Sequence, residues 1–117
     1  VQLKREMIAL RAVKLASQAE DVIVFEEDLE GEELRILMNL VLDQGNRLCA
    51  VFAGNSDCGF RYVLGSRTLD MRPLAKGLNE AFEGRGGGKP EMVQGSVKGN
   101  VDEMRAWIQE KARKMNG

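Results

Sequence analysis

Histidine is absent from the 117 residues, and with it go the commonest general base near neutral pH and the commonest metal ligand. Cysteine occurs twice, at Cys49 and Cys58, too few for a structural zinc site. Aromatic residues are scarce, with one Trp, one Tyr and four Phe. Most are needed in the core, which argues against sequence-specific reading of a single strand by base stacking. No apolar run approaches bilayer-spanning length, and the opening Val1-Gln2-Leu3-Lys4-Arg5-Glu6 is no signal peptide. We therefore expect a cytoplasmic chain without membrane association. Because a helical pattern is already under way at Val1, we also expect a piece of a longer protein.

What remains suits one soluble domain, 44% hydrophobic and 30% charged. The net charge of −1 is unevenly placed: residues 85–117 hold seven cations and four acids, residues 1–84 ten cations and fourteen acids. An anionic partner is thus expected at the C-terminal third. The densest feature there is Gly84-Arg85-Gly86-Gly87-Gly88-Lys89-Pro90, followed by Gln94-Gly95-Ser96-Val97-Lys98-Gly99. Glycine backbone beside Arg and Lys offers N–H groups and positive charge to a phosphate. Two plainer readings stand beside this one, a flexible surface connection and a close-packed turn between core elements. The P-loop is excluded, because only three residues separate Gly84 from Gly88 and Pro90 follows Lys89 where Ser or Thr is required.

Along the chain, residues 2–19 read as an amphipathic helix with apolar Leu3, Met7, Ile8, Leu10, Ala12, Leu15, Ala16 and Ala19. It either packs on its own domain or ends a longer coiled arm. Val22–Phe25 reads as a buried strand. The acids Glu26, Glu27, Asp28 and Glu30 then precede a helix over 31–43, where they suit the N-terminal dipole. The same acids have the composition of a divalent-cation site. Residues 48–53 and 60–64 form two strands, the first paired in parallel with Val22–Phe25 through a right-handed crossover. Asp70 caps a helix lined by Leu74, Leu78, Ala81 and Phe82 that runs straight into the glycine run. The run thereby follows a helix C-terminus, the wrong dipole end for an anion. Met92–Val97 is a strand, and Asn100 with Glu103 opens a last helix facing inward through Val101, Met104, Ile108 and Ala112. The fold class is α/β (α+β): a small mixed sheet flanked by helices, with an amphipathic helix at each end.

A hairpin turning near Asn55-Ser56 pairs residues whose numbers sum to about 111, so Cys49 faces Tyr62 and Cys58 faces Ala53. The two thiols are then roughly 13 Å apart, too far for a disulfide. Both are expected to be reduced and mostly buried.

The order of a helix near Leu74-Leu78-Phe82, the Gly-Arg-Gly-Gly-Gly-Lys-Pro run, and Met92-Val93-Gln94-Gly95-Ser96 resembles the DHH-associated C-terminal domain of alanyl-tRNA synthetases and alanyl-tRNA editing proteins. The Met-Val-Gln-Gly-Ser variant is most similar to the stand-alone editing proteins. Phosphoesterases with a DHH catalytic domain carry related domains. The resemblance covers residues 20–116, dividing the chain into a connecting helix, 1–19, and the domain proper, 20–117. It implies contact with nucleic acid, tRNA in the synthetase and editing branches, and a contribution to homodimerisation. Arg85, Gly86, Gly87, Gly88 and Lys89 match the glycine-rich loop, and Gln94 and Ser96 the polar positions after it. Lys98 joins Arg85 and Lys89 as a candidate phosphate ligand by its charge. Catalytic residues and metal are expected to be absent from this segment, with any editing zinc held in a separate domain. Three functions follow as expectations: a tRNA-binding accessory domain, an oligomerisation module, or the substrate-closing half of a DHH phosphoesterase with Arg85 and Lys89 over the scissile phosphate.

Overall fold

A computed structural model describes residues 2–27 and 29–115, with side chains from residue 6 onward. The elements are α1 (Gln2–Gln18), β1 (Asp21–Glu26), α2 (Gly31–Leu42), β2 (Leu48–Asn55), β3 (Gly59–Gly65), α3 (Arg72–Ala81), β4 (Arg85–Lys89), β5 (Met92–Val97) and α4 (Val101–Lys114). The strands form one open mixed sheet in the order β1-β2-β3-β5-β4, in which β1 and β2 are parallel and every other pair is antiparallel. This is the expected α/β fold, with one strand more than the sequence reading assigned.

Alternation along the strands sends side chains to two separate cores. On one face Ala50, Phe52, Tyr62, Leu64 and Val93 pack against α3 and α4, which contribute Leu74, Leu78, Met104 and Ile108. On the other, Cys49, Val51, Ala53 and Val63 pack beneath α2 and α1. The predicted inner face of α2, Leu34, Leu37, Met38, Val41 and Leu42, is buried throughout. Of the acids before that helix, Glu30 is a cap, its carboxylate accepting a first-turn amide while Glu33 accepts the Glu30 N–H, and Glu26 instead pairs with Arg11 at 2.6 Å. Asp28 lies outside the described residues. At the other end of the chain Asn100 Oδ1 accepts the Glu103 N–H at 3.2 Å, opening α4.

Three expectations need correction. The β2–β3 register pairs Cys49 with Gly65 and Ala53 with Arg61. Asn55 Oδ1 accepts the N–H of both Asp57 and Cys58, so Asn55 remains the last strand residue, and Gly59 starts the return at φ 91°. Cys58 consequently sits in the turn and is exposed, whereas Cys49 is buried; both are free thiols. In α3, Ala75 is buried in place of Ala81, which is exposed. Along α1, among the described side chains, only Ile8 and Ala12 are buried, while Met7 is 68%, Leu10 73% and Val13 54% exposed; the Leu3 side chain lies outside those described. No helix among the described residues is long and apolar enough to cross a membrane.

Candidate functional site

The glycine run is a strand. β4 is the sheet's outermost strand, paired only with β5: Arg85 lies opposite Ser96, Gly86 opposite Gly95, Gly87 opposite Gln94, and Lys89 opposite Met92. It is held at both ends. Gly84 N–H donates to the Asn79 carbonyl at 2.8 Å, and Lys98 N–H donates to the Phe82 carbonyl at 2.9 Å. At the hairpin tip, Met71 N–H donates to the Pro90 carbonyl and Ser66 N–H to that of Glu91. These bonds replace the flexible-connection reading with a fixed edge. By the alternation of an antiparallel ladder, every second residue of β4 turns its N–H and C=O away from the sheet.

The close-packing reading holds for part of the run. A Cβ on Gly86 would sit 2.5 Å from the Gln94 carbonyl oxygen and 2.7 Å from Tyr62 Oη, and Gly84, Gly88 and Gly95 meet backbone in the same way. Tyr62 Oη donates to Asn79 Oδ1 at 2.8 Å. Burial pushes this phenol's pKa up, and that hydrogen bond offsets part of the rise. Gly87 differs: nothing lies within 4 Å of where its Cβ would be, and its φ is not in the left-handed region. The fold gives no reason for glycine there.

Gly87 faces a groove between α2 and the β3–β5–β4 end of the sheet. Since Arg61 pairs with Ser96 and Ser96 with Arg85, two guanidinium-bearing residues flank one hydroxyl on the same face, on strands about 10 Å apart. Arg35 of α2 overlooks both Arg61 and Gln94 across a cleft of about 500 Å³. The cleft continues for about 390 Å³ beside Gly87, Gly88 and Lys89, again under Arg35 and with Arg67 on its wall. Arg67 is paired with Asp43 at 2.9 Å. Arg35, Arg61, Arg85 and Lys89 form no salt bridge with another described residue. The result is a cationic channel with polar Gln94 and Ser96 in its floor.

Of the sequence candidates, the structure brings together Arg85, Gly87, Lys89, Gln94 and Ser96. Gly86, Gly88 and the paired Gly95 serve the packing of β4 on β5. Lys98 lies apart, beyond Ser96 in a pocket with Glu27, Glu30, Glu32 and Glu83. Arg35 and Arg61 were missed as site residues, because they belong to the acidic part of the sequence and only the register places them opposite β4. The signal for Arg61 was present as the single charge in an otherwise apolar strand. All six aromatic residues lie in, or pack against, the core on the α3–α4 face, and none presents a free ring to the groove. No group of three or more Asp, Glu, Cys or His side chains among the described residues is arranged to hold a metal ion.

Comparison with solved structures places this architecture among known ones. The C-Ala domain of alanyl-tRNA synthetase from Aquifex aeolicus superposes with a TM-score of 0.67 at 20% identity, covering 77% of this chain and 87% of that one. RecJ from Thermus thermophilus, solved with Mg2+, gives 0.73 at 13% identity over 97% of this chain and 19% of its own. An exonuclease RecJ bound to manganese gives 0.68 at 14% identity, covering 97% and 30%. The chain thus spans a fifth to a third of the RecJ structures, and at these identities the likeness is one of fold. Among curated proteins no relative matches. The DHHA1 domain model matches residues 14–114, taking in every strand of the sheet and the glycine run that first suggested the resemblance: the chain belongs to the DHHA1 domain family.

Proposed function

We propose that the domain is a nucleic-acid-binding accessory module, for tRNA in the setting of alanyl-tRNA editing or synthesis, which holds sugar–phosphate backbone in the groove between α2 and β4. The supporting observation is Gly87. A residue left without a side chain where the fold has room for one, between Arg85 and Lys89 and under Arg35, lets a ligand chain lie against the strand. Phosphates are then met by guanidinium and ammonium groups and by the outward amides of β4. With no free aromatic ring at the groove, recognition rests on backbone shape and charge. Catalysis is assigned to another part of the parent protein, where any zinc needed for deacylation would be held. The folds shared with a synthetase domain and with an exonuclease are consistent with this placement.

The test is tRNA affinity against salt. Replacing both Arg85 and Lys89 by Ala removes two phosphate contacts and reduces the log–log salt slope by about 1.4, at roughly 0.7 per contact on irregular or single-stranded RNA. Thermal stability is unchanged, since both side chains are exposed on the edge strand. An unchanged slope removes the proposal.

A second reading, self-association through α1, is favoured by the exposed apolar residues Met7, Leu10 and Val13. Sedimentation of the chain and of a Leu10→Lys variant, with and without tRNA, separates the two. A monomer at every concentration in both proteins removes self-association.

A further inference from the structure

The groove changes sign along its length. At the hairpin end its charged lining is Arg35, Arg67 and Lys89 against Glu91. In the middle it is Arg35, Arg61 and Arg85 against Glu32. Past Arg61 it opens into a cleft of about 750 Å³ lined by four glutamates, Glu27, Glu32, Glu83 and the helix-capping Glu30, against Arg61 and Lys98. These are stretches of one path, because Arg35 and Gln94 line both the first and the second, and Gly31, Glu32, Arg61 and Ser96 line both the second and the third. A chain of phosphates is attracted along it as far as Arg61 and repelled beyond.

We propose, resting on the nucleic-acid reading above, that the groove takes a single strand by its terminus and not through its interior. The phosphates lie between Lys89 and Arg61. The last nucleoside, carrying a free hydroxyl and no further phosphate, sits in the carboxylate-lined end, where acceptor oxygens match hydroxyl donors. A strand that continued past this point would carry its next phosphate into four glutamates. The polarity therefore selects ends.

The experiment uses the full chain and a short single-stranded RNA in two forms, linear with hydroxyls at both ends and closed into a circle of the same sequence. The linear form binds roughly tenfold or more tightly, as expected when a like-charge contact is avoided. A phosphate added at one end, 5′ or 3′, weakens the linear form by a similar factor and so identifies the seated terminus. The exposed pair Glu32→Gln and Glu83→Gln, made together, narrows the difference between line and circle. Equal affinity for line and circle, or a phosphate without effect at either end, overturns the terminus proposal and leaves the groove reading standing. Absence of binding by both forms overturns both.

Discussion

Glycine at two neighbouring positions of β4 has two different causes, and substitution tells them apart. Gly86→Ala forces a Cβ against the Gln94 carbonyl and the Tyr62 hydroxyl, so stability falls by about 1–3 kcal/mol, the usual range for overpacking. Gly87→Val leaves the unfolding midpoint near that of the parent, because the Cβ meets nothing, yet it weakens RNA binding by filling the groove. Thermal melts and binding curves on the two variants make the check; a Gly87→Val protein that binds as the parent does removes the groove from the argument. The cysteines divide in a similar way. A thiol reagent labels the exposed Cys58 at once and Cys49 only after unfolding. Burial pushes the Cys49 thiol from 9.0 up to about 12, so the folded state keeps a proton that the unfolded chain releases. Its contribution to stability is therefore full below pH 9 and is lost as pH rises from 9 toward 12. The unfolding free-energy difference between parent and Cys49→Ala accordingly holds steady below pH 9 and shrinks above it.

Among the elements, the C-terminal end of α4 is tied down by a side chain from the turn before β2. The Arg47 guanidinium meets Asp21 through two bonds of 2.8 Å and donates to the Met115 carbonyl at 2.7 Å and to the Ala112 carbonyl. It thus ties the start of β1 to the end of the last helix. Its pKa is raised, first by the hydrogen bonds to Asp21. The pair is partly exposed, so Arg47→Ala is expected to lower stability by about 2 kcal/mol, within the range for hydrogen bonds to charged groups. Lys at this position recovers less than half, since an ammonium cannot serve the carboxylate and both carbonyls in one plane. Urea unfolding of the two variants provides the measurement, and equal stability of Lys and Arg would show that charge alone matters. The helices and most strands were readable because their apolar spacing is regular, as in Leu34, Leu37, Met38, Val41 and Leu42. β4 was not. Arg-Gly-Gly-Gly-Lys has no apolar alternation and no strand propensity, and it becomes a strand because β5 offers a ladder while Asn79 and Met71 fix its two ends.

For the whole molecule, folding rearranges a charge pattern that is only modestly uneven in sequence. Arg35 and Arg61 come from the acidic segment and end up beside Arg85 and Lys89, so Arg35→Glu should weaken RNA binding at least as much as Arg85→Ala. Binding measured at two salt concentrations checks this, and an Arg35→Glu protein of parental affinity would place the ligand elsewhere. Because every aromatic ring is committed to one core, oligomers of uracil and adenine of equal length should bind within about threefold of each other, short of the 1–3 kcal/mol per base that stacking platforms supply.

By itself the sequence determined the fold class, the buried face of α2, the capping of α4, the lack of histidine chemistry and, through the glycine motif, the family. These depend on local spacing and on residue types whose consequences hold wherever the chain goes. The tertiary structure alone decided which glycines are steric necessities, that Cys58 is exposed, that Lys98 stands among glutamates, and that Arg35 and Arg61 face β4. Each of these is a matter of strand register and of what lies opposite across 5–10 Å. A one-residue shift of pairing would send Arg61, Gln94 and Arg85 to the other face of the sheet.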